Sequence, residues 1–154
     1  MVFIYLAAII LANLSIAHFG PAVSIVNAFL FIGLDLTSRD RLHDAWGRRG
    51  LLWKMAVLIA SGSGLSWLIN KNAGAIALAS FVAFALSAST DAIAYHLLRG
   101  KAKFQRVNGS NLAGAAVDSL VFPLLAFGWP LMWIVCLGQF VAKVFGGLLW
   151  SFLV

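Results

Sequence analysis

Five ionisable side chains, Asp35, Arg39, Asp91, Asp118 and Lys143, interrupt apolar stretches of this 154-residue chain. A charge at membrane depth is costly and must face an opposite charge, water or a ligand. Asp118 and Lys143 form the simplest pair. A rise of about 1.5 Å per residue puts Asp118 roughly 10 Å in from one end of its apolar segment. The same arithmetic carries Lys143 roughly 18 Å in from the opposite end of the next segment, to a similar depth. Gln139 lies one helical turn from Lys143, and Asn111 lies two turns from Asp118, so both add polar groups to the same faces. Pro123 lacks an N–H and leaves the carbonyl of Ser119 free beside Asp118. Asp35 and Arg39, four residues apart with Thr37 between them, share one helix face. Each group has a plainer reading as well. Asp118–Lys143 could simply hold two helices together, Arg39 could snorkel to headgroups, and Asn111 or Gln139 could bond between helices.

The elements that position these residues follow from composition. The chain is 62% hydrophobic and 10% charged, with mean hydropathy +0.97. No water-soluble domain of this length hides that much apolar surface. The sequence therefore predicts an all-α integral membrane protein, a compact bundle of six transmembrane helices forming a single domain. The expected spans are 1–18, 22–40, 51–70, 75–98, 111–127 and 131–153. No basic n-region precedes the first of them, so it is expected to be a retained span. Ala75, Ala79, Ala83 and Ser87 form a small-residue stripe on the fourth span, and Ser61 to Gly64 give the third a soft centre.

Charge sets the expected orientation. Arg39, Arg41, Arg48, Arg49, Arg99, Lys101, Lys103 and Arg106 are eight of the eleven basic residues. They lie in the two connections that six spans place on one side, so that side and both termini are expected to be cytoplasmic. Trp46, Trp53 and Trp150 would mark that interface, and Trp67, Trp129 and Trp133 the other. The net charge of +6 is thus explained by orientation, with no nucleic-acid partner required. Cys136, the single cysteine, excludes a disulfide framework. His18, His43 and His96 lack metal-ligand spacing, and the carboxylates show no paired metal motif, so no cofactor or metal is expected. There is no phosphate-binding G-x-x-x-x-G-K-[ST] loop, no H-E-x-x-H and no G-x-S-x-G, and the chain contains no glutamate. An enzyme is not expected, and uphill transport would need an ion gradient or a separate ATPase subunit.

The segments FIGLDLTSRDRLHDAWGRRG, LASFVAFALSASTDAIAYHLLRG, GSNLAGAAVDSLVFPLLAFG and GQFVAKVFGGLLW together resemble the putative vitamin uptake transporter family. Its best-known members are bacterial queuosine-precursor transporters that import 7-deazaguanines such as 7-cyano-7-deazaguanine. The resemblance covers spans two, four, five and six in order, and is most specific in D-L-T-x-R and V-D-S-x-x-F. It implies a multi-pass transporter of the bacterial plasma membrane, with Asp35, Thr37, Arg39, Asp91, Asp118, Ser119 and Lys143 as the family's polar positions. A 7-deazaguanine offers N1–H and an exocyclic amine side by side, a donor pair that Asp118 would accept bidentately. Lys143, Gln139, Asn111 or Ser119 would donate to its carbonyl oxygen. Two further expectations accompany this reading. A bundle so slender leaves a homodimer plausible, and the alternative function is a substrate-binding membrane subunit that docks on an ATPase through the alanine stripe.

Overall fold

The computed structural model describes residues 2–31 and 51–153, and every regular element within them is helical. Helix α1 spans Val2–Phe19, and α2 is described over residues 23–31. Helix α3 spans Leu51–Ile69 and is joined by a single 3-10 turn, Lys71–Ala73, to α4 at Gly74–Leu97. Helix α5 spans Lys103–Phe127, and α6 spans Trp133–Leu153. Asp35, Thr37, Arg39 and the basic residues up to Arg49 lie outside the described residues, as do Trp46 and His43.

The turns have local causes. Gly20 and Gly128 adopt φ of 84° and 78°, a left-handed conformation that glycine adopts without strain. They end α1 and α5 just ahead of Pro21 and Pro130. Between α3 and α4, the Asn70 side chain accepts from the backbone N–H of Asn72 at 3.0 Å, and the Lys71 ammonium sits 3.8 Å from the Trp67 ring centroid. Helix α5 begins at Lys103, eight residues ahead of the expected fifth span. The run KFQRVN contains no glycine or proline and stays helical, so Lys103 and Arg106 ride on its first turns.

Around the bundle the helices follow the order α1, α3, α4, α5, α6, α2 and back to α1. Polarity is inverted relative to a soluble protein. Ile134, Phe104 and Trp129 are among many large apolar side chains facing outward, whereas Asn13, Ser66, Ser110, Ser119, Gln139 and Lys143 are buried. Val2–Phe19, Lys71–Leu97 and Phe104–Phe127 are each long and apolar enough to cross a bilayer, and Trp53–Ile69 and Trp133–Gly146 are shorter apolar helices. Both features suit a hydrocarbon solvent, which solvates apolar faces and leaves polar groups to pair internally.

Two kinds of contact hold the ring. The first is hydrogen bonding centred on Asn13 of α1. Its amide donates to Ser66 of α3 at 3.2 Å, and its carbonyl oxygen accepts from Ser80 of α4 at 2.8 Å. Asn27 of α2 donates to the Ala12 carbonyl at 3.1 Å and to Ser15 at 2.8 Å. The second is close approach at small residues. A Cβ at Gly146 of α6 would lie 2.9 Å from the Phe29 carbonyl oxygen of α2. At Gly114 of α5 it would meet Ser87 and Asp91 of α4 at 3.2–3.3 Å. Ala79 and Ala83 of α4 pack with Ile16 of α1 and Phe122 of α5. Much of the alanine stripe is therefore spent inside the bundle.

Two glycine substitutions are expected to differ in sign. Gly146→Ala drives a methyl against backbone and costs about 1–3 kcal/mol. Gly64→Ala meets nothing within 4 Å and gains about 0.5–1 kcal/mol from helix propensity. Thermal unfolding of the two variants in the same detergent checks this.

Candidate functional site

Helices α5 and α6 bring Asp118 and Lys143 together, as their depths predict. The Lys143 ammonium donates to Asp118 Oδ2 at 2.5 Å, to Ser119 Oγ at 3.0 Å and to Gln139 Oε1 at 3.3 Å. An ammonium has three N–H donors, and all three are taken. Gln139 lies one turn before Lys143 on α6, so its carbonyl oxygen reaches the ammonium along the helix face. Its Nε2 donates across to Ser24 Oγ of α2 at 2.9 Å, and Ser24 donates to the Pro21 carbonyl at 2.5 Å. Three helices thus meet at one buried cation.

The pair is lopsided. The Lys143 side chain is 4% exposed, while that of Asp118 is 22% exposed. An ionised carboxylate has about four acceptor sites, and Lys143 uses one oxygen. Among the described residues, the more open side of the cluster is therefore the carboxylate. Lys143 is expected to donate to a ligand carbonyl. It would have to give up Asp118, Ser119 or Gln139 first. The pairing sets the buried ammonium and the carboxylate against each other, either of which alone would be costly at membrane depth.

The remaining sequence candidates are distributed differently. Asn111 shares the azimuth of Asp118 by its seven-residue spacing, but it is exposed and lies about 10 Å nearer the Lys103 end of α5. Asp91 lies in the α4–α5 seam beside Gly114, apart from the hydrogen bonds around Lys143. Asp35 and Arg39 lie outside the described residues. Ser24 is a member that sequence reasoning missed. Its signal was weak, a small hydroxyl three residues after Pro21 and three before Asn27 on α2. A separate recess of about 270 Å³ between α3 and α4 is lined by Trp67, Phe81, Leu78 and Ser63 among others. It contains no charged group that would read a polar ligand.

A helical bundle with an apolar exterior, long apolar helices and an ion pair buried inside is that of an all-α membrane protein. The family model described as Putative vitamin uptake transporter matches residues 1–154. The chain belongs to that family, and uptake of a solute across a membrane is the function this membership gives it. No curated protein and no solved structure matches it.

The ion pair's energetics are open to test. Asp118→Asn leaves the buried Lys143 charge without its counter-charge and is expected to cost about 3–5 kcal/mol. Replacing both partners, Asp118→Leu with Lys143→Met, is expected to recover most of that loss. A double-mutant cycle of unfolding midpoints in detergent measures the coupling.

Proposed function

We propose that this protein imports a 7-deazaguanine base, such as the queuosine precursor 7-cyano-7-deazaguanine, across the bacterial plasma membrane. It would act as a secondary transporter or facilitator. One observation carries the reading: a carboxylate deep in an apolar bundle, fixed on one oxygen by a saturated lysine and open on its remaining side. A 7-deazaguanine presents N1–H and an exocyclic amine as adjacent donors, and a fixed carboxylate accepts such a pair in one plane. A base lacking one donor leaves an acceptor unpaired, which discriminates by about 1–3 kcal/mol per missing bond. Family membership supports transport, and the chemistry of Asp118 supports a donor-rich, flat solute. The basic connections between α2 and α3 and between α4 and α5 would face the cytoplasm, giving import toward the positive ends. The alternative of a subunit docked on an ATPase through the small residues of α4 is the weaker reading, because Ala79 and Ala83 are already buried against α1 and α5.

The test is uptake of 7-cyano-7-deazaguanine by a precursor-dependent strain, normalised to folded protein in the membrane. Asp118→Asn keeps the shape but replaces an acceptor with a donor. It is expected to weaken uptake by about tenfold to a hundredfold. Uptake equal to wild type would remove Asp118 from the binding site.

A further inference from the structure

The α4–α5 seam contains a second carboxylate that the base-binding cluster does not use. Asp91 is half-buried, and its Oδ1 atom is buried with no hydrogen-bond partner among the described residues. The hydroxyls nearest it along α4 are committed elsewhere. Ser87 donates to the Gly114 carbonyl at 2.9 Å, Ser89 to the Ala85 carbonyl and Thr90 to the Leu86 carbonyl. On the facing helix, Gly114 brings backbone against Asp91, whose Cβ lies 3.3 Å from where a Gly114 Cβ would stand. That spacing shuts out a heterocycle. It also gathers one carboxylate rather than the cage of six or more oxygens that a bound cation such as calcium requires. A proton needs neither space nor further ligands.

The neighbours of Asp91 continue the polar track. Asp118 lies four residues from Gly114 along α5, about 6 Å further into the bundle, with Lys143 of α6 behind it. In the other direction, Arg106 lies eight residues from Gly114, about 12 Å toward the basic end. The Arg106 guanidinium sits 4.5 Å from the ring centroid of Tyr95, which is one turn beyond Asp91 on α4. Its Nε is also buried with no hydrogen-bond partner among the described residues. Among the described residues, the charged and titratable groups on the elements packed against α4 are Lys103, Arg106 and Asp118 of α5, Lys54 of α3, Tyr5 and His18 of α1 and Lys71 of the 3-10 turn, with Lys143 of α6 behind Asp118. Tyr95 and the exposed His96 are the titratable groups that follow it on its own helix. The seam thus runs from the Asp118 cluster to the basic end through Asp91 and Tyr95 to Arg106.

We propose that Asp91 is the proton-binding residue that couples import to a proton gradient. The proposal rests on reading the protein as an importer of a base. A buried carboxylate oxygen without a donor is relieved when the group is neutralised. A proton from water on the entry side binds the Asp91 carboxylate, forming one O–H bond. The loaded protein changes conformation, and that bond breaks to release the proton to water at the Arg106 end. Asp91 does not contact the substrate. It acts through the adjacent seam and the Asp118 cluster one turn away.

Two measurements test this, and only one needs the substrate. In unliganded protein in lipid nanodiscs, infrared difference spectra on acidification are expected to show a protonated-carboxyl stretch. Asp91→Asn should abolish it and Asp118→Asn should not. A band that survives Asp91→Asn, or no band in wild type, overturns the proposal whatever the substrate is. In proteoliposomes given 7-cyano-7-deazaguanine and a gradient of one pH unit, acid on the entry side, wild type is expected to accumulate up to about tenfold, the ratio of proton activities. A protonophore should collapse that accumulation. Asp91→Asn should only equilibrate the base, while Asp91→Glu should restore accumulation. Accumulation in Asp91→Asn that still follows the pH gradient also overturns the proposal. If wild type moves no base at all, the substrate assignment fails, and the infrared result decides Asp91 independently.

Discussion

The Lys143 ammonium is the constraint around which the bundle is arranged. In hydrocarbon a cation without partners is untenable, so three acceptors must converge on it. They come from two helices, with Asp118 and Ser119 on α5 and Gln139 on α6. Gln139 then requires an acceptor for its own amide and finds Ser24 on α2. One charge thereby specifies the relative rotation of three helices and the depth at which they register. Apolar packing alone cannot do this in lipid, because acyl chains solvate leucine as well as another helix does.

The other half of the ring obeys the same rule without a charge. Asn13 links α1 to α3 and α4 with one donor and one acceptor, and Asn27 ties α2 to α1. These bonds are each worth well under 2 kcal/mol in a membrane, and their value is in orientation. Glycine and alanine complete the ring by letting backbones approach. At Gly114 and Gly146 the neighbouring helix already occupies the edge of the space a side chain would fill. The polar half containing Lys143 has different demands. It keeps a carboxylate partly open, a cost the fold accepts only because the lysine beside it is closed.

Much of this was legible in the sequence, and for identifiable reasons. The class followed from composition, and the Asp118–Lys143 pair followed from helix rise alone, because two charges in adjacent antiparallel segments at equal depth have few other partners. Gln139 and Ser119 came with them as near neighbours. Asn111 shows the limit of the method. Seven-residue spacing fixes azimuth but not depth or cover, and Asn111 lies nearer the Lys103 end of α5 and is exposed. Ser24 was hidden because a hydroxyl is too small to stand out in an apolar run, and its value depends on which helix it faces. The early start of α5 was missed for a different reason. Basic residues mark the edge of a membrane, yet arginine and lysine are good helix formers and the helix continues through them.

The hydrogen bonds leaving Lys143 on the α6 and α2 side share one direction. Lys143 donates to Gln139, Gln139 to Ser24, and Ser24 to the Pro21 carbonyl. Dipoles aligned head to tail polarise one another, so this is a wire with a fixed sense, each dipole turning its negative end toward Lys143 and its positive end toward the α1–α2 corner. Reversing the Gln139 amide would set donor against donor at Lys143. The corner at Pro21 and the buried cation are therefore electrically one object, and neither can be re-aimed without the other.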